Sequence, residues 1–128
     1  MLVVINGPHI EAGESLSEGL NCSDGIVTKI TMPAQWSPAP NGSPAVLTFQ
    51  TSTDGAMYND IFDDRGNEVT CVVAGEATAI LVHFRVGWVR FRSGTREHPV
   101  PQQELREFAI ALDQGAAAVA ASPTGKRR

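Results

Sequence analysis

The amino-acid sequence predicts an all-β domain, an antiparallel sandwich, on three observations. Short runs rich in β-branched and aromatic residues recur between clusters of Gly, Pro, Asn and Asp. Within these runs apolar and polar residues alternate at a period of two, and the helical period of 3.6 is nearly absent. The 12 glycines and 8 prolines in 128 residues supply the tight turns that many short strands need.

A chain of this length makes one domain and hides roughly two thirds of its unfolded surface. Hydrophobic residues at 42% against 19% charged place it among folding rather than disordered sequences.

The first apolar run, Leu2 to Ile5, reads as a strand ended by Gly7-Pro8. It has no basic residues before it and fails as a secretory signal, so the expectation is a protein made in a cytoplasm. No stretch approaches the ~18 apolar residues of a membrane helix. Gly25 to Thr31 is the second strand. Met32 to Pro44 carries Pro33, Pro38, Pro40 and Pro44, which cannot donate to a ladder, so it reads as a structured crossing with Trp36 capping the end of the core.

Ala45 to Ser52 alternates Leu47 and Phe49 with Val46, Thr48 and Gln50, and Ser52-Thr53-Asp54-Gly55 is a turn suited to positive φ. Met57 to Phe62 and Glu68 to Val73 flank a second turn, Asp63-Asp64-Arg65-Gly66-Asn67. Thr78 to Phe84, Gly87 to Ser93 and Leu105 to Leu112 complete the strands. The expected core is Leu47, Phe49, Phe62, Val69, Ile80, Val82, Val89, Phe91, Phe108 and Ile110. Residues 1–113 form the domain. Residues 114–128 form an Ala-rich tail ending in Ser122-Pro123-Thr124-Gly125-Lys126-Arg127-Arg128.

A net charge of −4 argues against a nucleic-acid coat, because phosphate binding needs a basic surface to release counterions. Cys22 and Cys71 read as two ordinary thiols, with neither a disulfide framework nor zinc spacing. Two Asn-X-Ser triplets are discarded as chance matches. The group Asp54, Asp60, Asp63, Asp64, Asn67 and Glu68 invites a calcium reading. However, Phe62 stands two residues after Asp60, where a calcium loop needs an oxygen donor, so two plain β-turns are preferred and no metal or cofactor is expected.

The stretch Gly87-Trp88-Val89-Arg90-Phe91-Arg92-Ser93-Gly94-Thr95-Arg96-Glu97-His98-Pro99 concentrates the basic residues of an acidic chain. Alternation puts Val89 and Phe91 on the core face and Trp88, Arg90 and Arg92 on the outer face. There they form a salt-bridged strand face, a protein contact, or an anion or sugar site. Ser93-Gly94-Thr95 reads as a turn whose hydroxyls cap backbone groups before Pro99. His9, His83 and His98 stand in no readable relation to an acid and a nucleophile, so no catalytic residue and no enzyme is expected. His83 reads as a satisfied strand histidine.

Trp36, the run Leu47 to Tyr58 and the strand Val89-Arg90-Phe91-Arg92 resemble the discoidin-type, galactose-binding-like jelly roll. Ser52, Asp54, Gly55 and Tyr58 match its S-x-D-G turn and following aromatic. The resemblance implies a jelly-roll sandwich. The family's disulfide has no counterpart in Cys22 and Cys71, so its lipid and sugar binding are not carried over.

In overall layout, the runs MPAQW, LTFQTSTDG, FDDRGNEVT and RFRSGT resemble small accessory virion proteins of tailed bacteriophages, of the head-decoration type. That resemblance implies a non-enzymatic structural protein of the virion that bridges subunits of the major capsid protein or another virion protein, as a homo-oligomer, with neither nucleic acid nor membrane as partner. The expected contact residues are Trp88, Arg90, Arg92, Arg96 and the tail with Lys126, Arg127 and Arg128. The rival reading is a carbohydrate- or cell-surface-binding module of a tail fibre or secreted enzyme, with Trp36 and Tyr58 in its site.

Overall fold

The computed structural model describes residues 1–38, 45–73 and 78–114. Among them the strands are β1 (Leu2–Ile10), β2 (Leu20–Asn21), β3 (Ile26–Thr31), β4 (Val46–Ser52), β5 (Asn59–Asp60), β6 (Cys71–Val72), β7 (Ala79–Phe84), β8 (Trp88–Ser93) and β9 (Arg106–Asp113). All pairings are antiparallel. Sheet A has the order β1-β9-β3-β7 and sheet B the order β2-β8-β4-β5, with β6 also on β4. Taking β5 and β6 as halves of one interrupted strand yields the eight-stranded jelly roll, two packed sheets of four.

Alternation determines what lies between the sheets. In sheet A, Ile5, Ile110, Ile30 and Ile80 stand opposite one another across four strands. The central two are fully buried and the edge two partly so. They meet Leu47, Phe49, Val89 and Phe91 of sheet B. Edge-to-face contacts run from Trp36 to Phe108 (5.6 Å between centroids), Phe108 to Phe91 (5.0 Å), Phe91 to Phe49 (5.4 Å) and Phe49 to Phe84 (5.5 Å). Each such pair contributes about 1 kcal/mol beyond its buried area.

β1 runs past the break that Gly7-Pro8 signals. Its register on β9 shifts between Asn6 and His9, so both residues lie in a bulge where no ladder donor is required, and pairing resumes at His9 and Ile10. β2 is too short for alternation to show. The expected strands Met57 to Phe62 and Glu68 to Val73 shrink to the pairs β5 and β6. Gln50 faces Asp60 and Leu47 faces Cys71, so the whole segment from Ile61 to Thr70 stands opposite only Thr48 and Phe49. The surplus chain leaves the sheet edge as a small hairpin, bridged at Phe62 and Glu68 and turned at Asp63 to Asn67.

Four core expectations change. Phe62 rides on this hairpin, is 44% exposed, and lies 5.8 Å beneath the Arg96 guanidinium instead of in the core. Val69 reaches only the core margin, as do Ile80 and Val82 on the edge strand β7. His83 faces outward on β7. The tail from residue 115 lies outside the described residues.

Candidate functional site

β8 places Arg92 on the side of sheet B opposite Phe91, as alternation requires, yet Arg92 is buried. The end of β5 and the hairpin after it cover this face and bring one carboxylate each, Asp60 and Glu68. Arg92 Nη1 donates to Asp60 Oδ1 at 2.7 Å, and Nη2 pairs with Asp60 and with Glu68 Oε2 at 3.5 Å. Its Nε donates to Thr48 Oγ1 at 3.3 Å. Arg96 closes the group: its Nε lies 3.2 Å from Asp60 Oδ2 and its backbone N–H points at both Glu68 oxygens, 3.1 Å away. Two cations meet two anions, so the cluster is neutral and the Arg92 donors are occupied. Arg92 is therefore not an outward contact residue. The face expected to be open is roofed.

The neighbouring side chains on that face are packed too. The Arg90 guanidinium lies 4.0 Å from the Tyr58 ring centroid, and its buried Nε has no hydrogen-bond partner. Trp88 is half-buried against Gly55, where φ is +80° and an added Cβ would come 2.8 Å from the indole. Of the described contact candidates, Arg96 alone keeps a mostly exposed side chain. Lys126, Arg127 and Arg128 lie outside the described residues.

Trp36 and Tyr58 do not form a shared binding face. Trp36 is buried against Phe108 in the core, whereas Tyr58 covers Arg90 on the outside of sheet B.

The acidic turns hold their own backbone. Asp54 Oδ1 accepts the N–H groups of Ala56 and Met57 at 2.8 and 3.1 Å, and these bonds with the Ser52 hydroxyl hold its carboxyl at about 2. Asp63 Oδ1 accepts from Arg65 and Asn67, both at 2.9 Å, which also lowers its pKa. Thr95 Oγ1 accepts the His98 N–H at 3.0 Å, the capping expected of that turn. Among the described residues no group of three or more His, Cys, Asp or Glu could hold a metal ion. Cys22 and Cys71 are free thiols, and burial pushes Cys22 up to about 11.

The signal that sequence reasoning missed lies on the outer face of sheet A. Val4, Ala111, Lys29 and Leu81 stand in one row across the sheet, and Asn6, Ala109, Thr31 and Ala79 in another. Leu2 and Val4 on the edge strand β1 and Leu81 on the opposite edge strand β7 are 62%, 65% and 83% exposed, with Ala109, Ala111, Lys29 and Thr31 between them. The exposed Leu and Val residues were visible as the outward half of each alternation, but strand runs this apolar do not say which face another layer covers.

No family model and no curated protein matches the chain. Among solved structures it is similar to a protein of the Bacillus endospore appendages, described as a novel family of disulfide-linked pili, at 17% identity and a TM-score of 0.38, covering 88% of this chain and 84% of that one. It is also similar to the Yersinia pseudotuberculosis-derived mitogen, at 8% identity and a TM-score of 0.32, with coverage of 87% and 83%.

Proposed function

We propose that this protein is a non-enzymatic accessory structural protein of a tailed-phage virion, a decoration module that docks on coat subunits through the outer face of sheet A. The observation carrying this reading is the exposure of Leu2, Val4 and Leu81 on one uncovered face of a sheet. Large apolar side chains exposed on one face are found at surfaces that meet another protein. The phage assignment rests on the sequence runs that resemble such proteins. Many identical weak contacts on a symmetric shell then add through multivalency. The docking surface moves from the Trp88–Arg92 stretch, whose side chains are roofed or packed, to the opposite side of the sandwich.

The test is addition of the purified protein to undecorated expanded heads, read by co-sedimentation and by the temperature of head disruption. Binding at micromolar concentration, abolished by Val4→Asp with Leu81→Asp and retained by Arg96→Ala, is the expected result. Both outward substitutions leave the fold intact, because surface changes usually shift stability by under ~0.5 kcal/mol. An absence of binding, or binding indifferent to the Val4 and Leu81 changes, overturns the proposal.

A further inference from the structure

We infer that the free edge of β1, from Leu2 to Asn6, pairs antiparallel with the same edge of a second copy of this chain, joining the two four-stranded sheets A into one. β1 ends sheet A, and among the described residues no strand pairs with its other side. Its register on β9 is regular from Leu2 to Asn6. Next to this run the Gln114 N–H donates to the Met1 carbonyl at 2.9 Å, which makes Met1 and Gln114 a hydrogen-bonded pair. Antiparallel ladders alternate hydrogen-bonded and non-hydrogen-bonded pairs. Val3 and Ile5 therefore bond to β9, and Leu2, Val4 and Asn6 turn their backbone N–H and C=O groups to the open edge.

The rest of this edge is closed. Pro8 has no N–H to offer, and the His9 N–H donates to the Glu18 carboxylate, whose Oε2 also lies 3.1 Å from His9 Nδ1. The register shift between Asn6 and His9 takes the strand out of line at the same place. Proline, bulges and charged side chains are the devices that keep sheet edges from pairing. Leu2-Val3-Val4-Ile5-Asn6 has none of them. On the opposite edge of the sheet, β7 shifts its register on β3 between Leu81 and Phe84 and offers a shorter regular run.

Self-complementarity selects a second copy as the occupant. A two-fold axis through Val4, perpendicular to the sheet, places Val4 opposite Val4, Leu2 opposite Asn6 and Val3 opposite Ile5 of the other copy. Each open N–H and C=O of Leu2, Val4 and Asn6 then meets a complementary group. Outward side chains face outward ones, and the half-buried inner pair Val3 and Ile5 cover each other at the margin of the sandwich. Sliding one copy by one residue sets outward side chains opposite inward ones. Sliding it by two leaves an edge group of Leu2 or Asn6 unpaired, because Pro8 cannot donate. No charged side chain lies in the run, so no like charges meet across the axis. The inference does not rest on the docking reading.

The test is sedimentation of the purified full chain over a range of concentrations. The mass should rise from one chain to two, with half the chains paired at on the order of 100 µM, the weak end expected of an interface as small as one strand pair. Over the same range the amides of Leu2, Val4 and Asn6 should gain protection from hydrogen exchange, while those of Val3 and Ile5 are protected throughout. Val4→Lys and Val4→Glu each set like charges directly opposite one another at the axis and should weaken the dimer about fivefold. Val4 is 65% exposed, so neither change disturbs the fold. An equal mixture of the two variants should dimerise about fivefold more tightly than either alone, because opposite charges then face each other. Leu81→Asp lies outside the pair and should leave the dimer unchanged, which separates this inference from the docking reading. A chain that stays single up to about 1 mM, protection without the two-residue alternation, or a mixture no tighter than its components overturns the inference.

Discussion

At Arg92, a shell of water is exchanged for two carboxylates and a threonine hydroxyl, and this is favourable only while all of them stay in place. Asp60→Ala leaves the buried guanidinium with its weaker partner and should cost about 3 kcal/mol, read as a lowered urea midpoint. Arg92→Ala should cost a similar amount, and the double variant little more than either single one. Additive losses in that cycle would show that the two side chains do not act as a pair. Alternation correctly assigns Arg92 to the face opposite Phe91. It cannot reveal that residues thirty positions earlier return to cover that face, because the Arg92–Asp60 contact is formed by pairing between distant strands.

The element that decides the outer face of sheet B is the hairpin between β5 and β6, an insertion at a sheet edge where surplus chain has nowhere to pair. Its turn and the one after β4 are stabilised by carboxylates accepting backbone N–H groups, an arrangement that needs the ionised form. For Asp54 the folded value lies near 2, below the ordinary 3.8. The stabilisation is therefore fully present above about pH 4 and lost as pH falls through 2. Carboxyl chemical shifts should place the Asp54 midpoint near 2. Asp54→Asn should flatten the acid side of the stability profile between pH 4 and 2, and an Asp54 midpoint near 4 would refute the capping role. The turns themselves are legible from Asp-Gly and Arg-Gly-Asn. The interrupted strand is not, since local alternation continues on both sides of the gap.

Across the whole molecule, five aromatic rings link the two sheets, beginning at Trp36 in the proline-rich crossing. Trp36→Ala should cost about 3–5 kcal/mol through the cavity it leaves. The measured consequence should be a lower melting temperature for the whole domain. A variant that keeps wild-type stability would mean that the ring sits outside the core. The same layering explains why one face of each sheet differs in fate: the outside of sheet B has its own cover, and the outside of sheet A has none among the described residues beyond its own side chains.

Period-two patterning and turn chemistry by themselves determined that the chain is a β-sandwich, where most strands run, and that Leu47, Phe49, Val89, Phe91, Phe108 and Ile110 fill it. These are consequences of a residue's nearest neighbours along the chain. Only the tertiary structure decided which outward residues meet solvent. It buried Arg92 under Asp60 and Glu68, left Leu81 bare and enclosed Arg106 with no carboxylate partner among the described residues. The physical reason is that a strand's pattern specifies two faces but not what comes to rest on the second one.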